Sequence, residues 1–388
     1  MNYFKETDVS EQGEMVIDKF REVVENRHQY AREWKKKTGK KVIGYFCTYV
    51  PEEIMYAAGI LPVRVMGGHE SATIADDHIA WVYCSFCHDV LAQGLKGKYN
   101  YLDGIVNSYG CNHMRQTFWS WREHVPVSFS DHLYIPYYIR HRASKVLIHE
   151  ELKKFKQHLE EWLGKTISSE DLDRAIRIYN TNRWLLMQIY ELRKSENPPI
   201  SGVEAMQVVL AGIFMDKVEH NQLLEQLLQE LKRRKIDTEN KVRLMLVGTE
   251  NDDTEVVGLI ESLGGIVVID DHCTGSRYFW GEVTPEKDRL SALTNRLIDK
   301  PLCPVRDLET EYRSDRIVEL AKEYNVQGVI LLQQKFCDPL AYDMMYVPPA
   351  LEKVGIHTLT LELDIINPIA QLRTRIEAFL EMFQLALI

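Results

Sequence analysis

Apolar residues in this chain fall into short continuous runs separated by stretches with helical periodicity, and that alternation persists over most of its length. Residues 15–37 alternate apolar and charged positions at helical spacing and turn lysine-rich at their end, the pattern of a surface helix. KVIGYFC (residues 41–47) has the length and apolarity of a buried strand. In TYVPEEIMYAAG, Pro51, Glu52 and Glu53 stand where a helix begins and Gly59 where it stops. Residues 61–65 form a second strand, so strand, helix and strand follow one another as in a parallel βαβ unit. A helix over residues 85–95, closed by Gly94 and Gly97, leads to a strand at residues 102–107, a helix after Cys111 and the irregular run PVSFSDHLYIPYYI.

Beyond residue 145 the pattern changes to long helices, with Ser168 or Ser169 as a cap and ENPPISG as the one clear break. From residue 241 the alternation resumes: strand KVRLMLVG, a helix over 256–263, strand IVVIDD, the irregular CTGSRYFWGEVTP and a helix over 310–324. Strand GVILLQ, a helix over 342–354, strand HTLTLEL and a terminal helix complete it. The reading is an α/β protein with two parallel-sheet domains, residues 1–145 and 241–388, joined by a helical brace over residues 146–240. No sequence repeat relates the halves.

A length of 388 residues exceeds one hydrophobic core and agrees with two domains. Hydrophobic and charged fractions of 45% and 27% are those of a folded globular chain. The formal charge of −10 argues against a general nucleic-acid binder, although a local basic patch for a CoA phosphate is compatible with it. MNYFKETDVSEQGEM lacks the basic and apolar regions of a signal peptide, and no apolar run is long enough for a membrane span. The expected location is the cytoplasm.

In that reducing compartment seven cysteines, an odd number, point to metal or redox chemistry rather than to disulfides. Cys47, Cys273 and Cys337 each follow an apolar strand, where doubly wound sheets bind ligands. Cys84 and Cys87 form a CxxC at a helix start, open to reading as a redox dithiol or half a zinc site, and Cys111 begins GCNHMR. A single strand-end cysteine is more often a small buried hydrophobe. Cys303, between prolines in PLCPVR, is harder to explain as packing. His88, His113 and His272 stand beside cysteines; they are candidate proton donors or tuning hydrogen bonds, against the commoner structural role. Glu52 and Glu53 have a sufficient role at their helix start, and Trp119, Trp121, Tyr134, Tyr137 and Tyr138 read first as core or interface. Neither GxxxxGK followed by Ser or Thr nor GxGxxG occurs, so neither ATP nor a dinucleotide is expected on this chain.

CTYVPEEIMYAAGILPVRVMG, YCSFCHDVLAQGL, LDGIVNSYGCNHMR, DDHCTGSRYFWG and QKFCDP, in this order, resemble the 2-hydroxyacyl-CoA dehydratase and benzoyl-CoA reductase family. The likeness covers residues 40–140 and 240–365. It implies two Rossmann-like domains around an iron-sulfur cluster, fed by a separate ATP-hydrolysing iron-sulfur activator and, through it, ferredoxin. Carried over by motif, Cys84, Cys111 and Cys337 are ligands of one 4Fe-4S unit. Cys47, Cys273 and Cys303 form a second set, as in members with a double-cubane 8Fe-9S cluster, and Cys87 is left over as a possible ligand. That cysteine set is similar to the smaller cluster-bearing subunit of ATP-dependent benzoyl-CoA reductase. Such a subunit partners a larger homologous one and reduces an aromatic acyl-CoA to a cyclic dienoyl-CoA. A stand-alone double-cubane reductase, a 2-hydroxyacyl-CoA dehydratase subunit and a non-enzymatic α/β binding protein with buried cysteines are the competing readings.

Overall fold

The computed structural model describes residues 15–306 and 311–385. The polar start and the first residue of the helix expected from residue 310 lie outside these ranges. Strands β1 (Val42–Tyr45), β2 (Leu61–Arg64), β3 (Gly104–Ser108) and β4 (Phe129–Leu133) make one parallel sheet in the order β2-β1-β3-β4. Strands β5 (Val242–Gly248), β6 (Gly265–Asp271), β7 (Gly328–Gln334) and β8 (His357–Leu363) make a second, in the order β6-β5-β7-β8. The chain is α/β, and its two halves are Rossmann-like and share one strand order. β1, β2, β3 and β6 are buried at every residue, which is why they read as continuous apolar runs rather than alternating ones.

Differences from the expected elements have local causes. β4 lies in a run without apolar continuity, because as an edge strand it buries only Phe129 and Leu133. The N-terminal helix is divided at Asn26 into Val16–Glu25 and Arg27–Thr38. The middle contains four helices, Arg142–Leu163, Ser169–Leu192, Gly202–Gly212 and Lys217–Leu231, so ENPPISG is not the only break. Gly164, at φ 63°, ends the first of them, and the Asp216 side chain caps the last. Ser168 rather than Ser169 is the cap of Ser169–Leu192, in a reciprocal box with Asp171. The region read as one helix over 342–354 is two short ones, Asp338–Asp343 and Val347–Glu352, the second beginning at a proline pair.

The middle helices pack against both sheet domains. Ser169–Leu192 lies on Glu52–Ala57, while Gly202–Gly212 meets Val16–Glu25 and Thr254–Ser262. One apolar cluster consequently runs from Leu61 and Phe46 through Leu210 to Met245 and Ile269. Among the described residues, no helix is long and apolar enough to cross a membrane.

Candidate functional site

With the strand order shared by both sheets, the connections leaving β1 and β3, and those leaving β5 and β7, diverge and open a crevice at the strands' carboxyl ends. The cysteines stand at these exits. Cys47 follows β1, Cys273 follows β6, Cys111 follows β3 and caps Asn112–His124, and Cys337 follows β7 and immediately precedes Asp338–Asp343. Cys84 immediately precedes Ser85–Leu95 and Cys87 lies in its first turn. Amide N–H groups at such helix starts favour thiolate; the Met114 N–H reaches Cys111 Sγ at 3.4 Å. The two crevices face each other, and all seven cysteines line one cavity of about 90 Å³ with Cys303 closing it from its proline-flanked loop. One water needs roughly 10–15 Å³, so this space suits a polyatomic group. All seven thiols are free.

The thiols fall into two groups. Cys87 lies between Cys84 and Cys111, within hydrogen-bonding reach of both, and Cys84 also reaches Cys337 from the other domain. As acceptor from Cys337 and Cys87, Cys84 is held well below the ordinary thiol range. The donors Cys87 and Cys337 are pushed well above it, and Cys111, accepting from Cys87, is lowered. Cys47, Cys273 and Cys303 are the other group. Burial raises the Cys273 thiol to about 12 and raises Cys303 as well. The groups adjoin where Gly110, next to Cys111, backs onto Cys47: a Cβ there would sit 3.8 Å from Cys47 Sγ. Among the described residues, no three His, Cys, Asp or Glu side chains are gathered closely enough for a single metal ion; the donors surround a space instead.

Charged residues absent from the sequence reading surround the three-thiol group. Arg277 donates to Cys273 Sγ at 3.4 Å and is ion-paired with Asp271 at 2.5 Å, and Arg313 shares that carboxylate at 2.9 Å. Although burial opposes it, the two guanidiniums hold Asp271 down to about 2. Arg306 lines the cavity, and Lys300 stands behind it, pushed down to about 7 by burial. Glu250 lines the cavity near both groups and pairs with Arg64 across the domains; burial pushes its carboxyl up despite Arg64. One signal in the sequence could have found two of these residues, since Lys300 and Arg306 flank Cys303 symmetrically.

The histidines occupy three different environments. His113 lines the cavity, accepts from the Cys84 N–H at 3.1 Å, meets Asp338 at 3.3 Å and stacks on Tyr83. His88 is outside the cavity lining, 3.2 Å from Asp76 and 3.1 Å from the Ala80 carbonyl. His272 is directed into a separate small cavity with Tyr190, Arg193 and Asp270, and burial lowers it to about 4. The structure thus brings one of the three to the thiols. Glu53 is ion-paired with Arg183 and Glu52 accepts from Tyr278 at 3.1 Å, both off the cavity wall. Trp121 is core, while Tyr134 and Tyr138 are exposed.

Comparison with known proteins agrees with this architecture. The chain is 28% identical to the (R)-phenyllactyl-CoA dehydratase beta subunit of Clostridium sporogenes, over 93% of this chain and 97% of that one. It is 28% identical to the (R)-2-hydroxyglutaryl-CoA dehydratase subunit beta of Acidaminococcus fermentans, over 89% and 93%. A benzoyl-CoA reductase subunit of Thauera aromatica is 26% identical over 80% and 82%. A family model described as 2-hydroxyglutaryl-CoA dehydratase, D-component, matches residues 47–383, from the first cysteine to the last helix. The chain belongs to this family of dehydratase and reductase subunits.

Proposed function

We propose that this chain carries an iron-sulfur cluster in the seven-thiol cavity and serves as the cluster-bearing subunit of an ATP-dependent low-potential reductase. Its substrate is benzoyl-CoA or a related aromatic acyl-CoA, and its product a cyclic dienoyl-CoA. One observation carries the reading: seven buried or half-buried thiols from both domains line a single cavity, in groups of four and three. Thiolates are the ligands of such clusters, and this donor set fits. Cys84, Cys111 and Cys337, with Cys87 among them, would hold one cubane; Cys47, Cys273 and Cys303 would hold the second.

When bound, the cluster supplies one-electron reducing power. The protein's share is positional. Phe46, Phe86 and Met114 give the cavity an apolar wall that excludes water, and His113 fixes the Cys84 backbone by accepting its N–H. The relatives are themselves named as subunits, which supports a larger homologous subunit as partner, with a separate activator supplying electrons from ferredoxin. The dehydratase names among the relatives favour a second reading, a 2-hydroxyacyl-CoA dehydratase subunit.

Iron and sulfide analysis of anaerobically purified protein is the first test. The double cubane requires about eight irons per chain, whereas about four would restrict the site to one cubane. A colourless, iron-free chain overturns the reading. With activator and larger subunit added, conversion of benzoyl-CoA to the dienoyl-CoA separates the reductase from a dehydratase that acts only on 2-hydroxyacyl-CoA.

A further inference from the structure

We infer that the three-thiol half of the cavity is built around a net negative charge, with Lys300 and Arg306, both packed on the Tyr49 ring, as its counter-ions. The inference rests on the cluster reading above and adds an assignment within it: this half is the better electron acceptor of the two.

Tyr49 is 1% exposed and its ring is in contact with two cations. Lys300 Nζ is 4.4 Å from the ring centroid and the Arg306 guanidinium carbon 4.2 Å from it. Both cations are 2% exposed; burial and the neighbouring Arg296 oppose the charge of Lys300, and that charge therefore depends on an anion beside it. Lys300 donates to the Thr48 carbonyl at 3.0 Å and to its hydroxyl at 3.3 Å. Arg306 donates to the carbonyls of Ile135 at 3.0 Å, Pro136 at 2.6 Å and Tyr109. Among the described residues neither cation meets a carboxylate, and the Tyr49 hydroxyl is buried without a partner.

Carbonyl oxygens satisfy N–H groups but leave the charge of a desolvated cation uncompensated, and folds retain such charges where an anion balances them. The groups beside Tyr49 and Lys300 that can supply negative charge are Cys47, Cys273 and Cys303. Arg277, though already paired with Asp271, adds its hydrogen bond to Cys273 on the same side. The four-thiol half differs. His113 with Asp338 and the Thr249 hydroxyl, 3.7 Å from Cys337 Sγ, are its polar neighbours, and Glu250 faces this half and Cys273 alike. The cations gathered beside the first half raise its electron affinity relative to the second.

The test is a redox titration of the holoprotein followed by electron paramagnetic resonance, with iron content measured on every sample. Lys300→Met and Lys300→Gln both remove the charge, and the second keeps a donor for Thr48; Lys300→Arg restores the charge. Charge removal is expected to lower the reduced-to-oxidised ratio at the wild-type midpoint about tenfold, a shift of about 59 mV to more negative potential for one electron, with Lys300→Arg near wild type. Loss of iron from both neutral variants but not from Lys300→Arg, with the iron-free chains melting alike, also supports the inference. Full iron with an unchanged midpoint in the neutral variants overturns it, and so does iron loss in Lys300→Arg. Iron-free wild-type protein would instead overturn the cluster reading beneath it.

Discussion

Replacing Arg64 by methionine isolates the charge pair that joins the domains at the cavity wall. Arg64 is 2% exposed at the end of β2, and its guanidinium meets Glu250 from the loop after β5. Without the guanidinium, Glu250 is left as an ionised carboxylate in a buried site where one of its oxygens already lacks a partner. Breaking a buried pair in this way costs about 3–5 kcal/mol. A ceiling applies, because the carboxyl can take up a proton. From a reference pKa of about 4.3 that uptake costs roughly 4 kcal/mol at pH 7 and roughly 1.5 kcal/mol at pH 5.5. Arg64→Met should therefore lose about 3–4 kcal/mol in urea unfolding at pH 7 and less than half of that at pH 5.5. Arg64→Met with Glu250→Gln should recover most of the loss at pH 7, since no charge is then stranded. A deficit of equal size at both pH values, or no recovery in the double variant, would refute this account of the seam.

Gly94→Ala sets helix propensity against packing. The added methyl removes about 1 kcal/mol of glycine's helix penalty, but its Cβ would sit 2.6 Å from the Trp121 ring, an overpacking of about 1–3 kcal/mol. Net destabilisation in thermal unfolding is expected, and a stabilised variant would contradict the contact. Ser168→Ala, which removes a reciprocal cap, should cost about 1 kcal/mol in the same assay; an unchanged melting temperature would count against the box. Burial keeps His220 and His272 neutral, with folded values of about 3 and about 4. Their depressed values mean that the unfolded chain takes up protons first, so stability is whole above about pH 6.5 and falls as pH drops from there toward 4. His69, raised to about 9 by Asp252 against the opposing effect of burial, acts in the other direction, losing its contribution between about pH 6.5 and 9. That second effect is the smaller, because the His69 side chain is 37% exposed. Urea midpoints that stay level from pH 6.5 to 4.5 would refute the histidine assignment.

The α/β frame was legible because its inner strands are buried on both faces and leave unbroken apolar runs such as VIGY and GIVVIDD. Where burial is one-sided the signal fades. β4 alternates too weakly to read as a strand, and Arg289–Asp299, with polar residues on much of its surface, fell within no expected element. The Asn26 break is hidden for another reason: polar residues continue the helical pattern on both sides of it, with no glycine or proline to mark the change.

The cysteine positions were legible one at a time, whereas their meeting depends on two sheets facing each other. Sequence order cannot place Cys337 against Cys84, or Cys87 between Cys84 and Cys111; only the packing of the two crevices does so. Apolar burial fixes each sheet and, through the middle helices, joins the two, and polar contacts add to it across the crevices. Arg64 meets Glu250, His69 meets Asp252 at 3.0 Å, His113 meets Asp338 at 3.3 Å, and the Ser85 hydroxyl donates to Asp364 at 2.7 Å. Each joins the exits of the first sheet to those of the second. Apolar contact alone tolerates sliding, whereas the buried Arg64–Glu250 pair specifies a register, to which the more exposed His69, His113 and Ser85 contacts add less. On the proposed cluster reading, a group bridging thiols of both domains needs that register set before it arrives, and charged partners around a largely apolar cavity wall agree with that need.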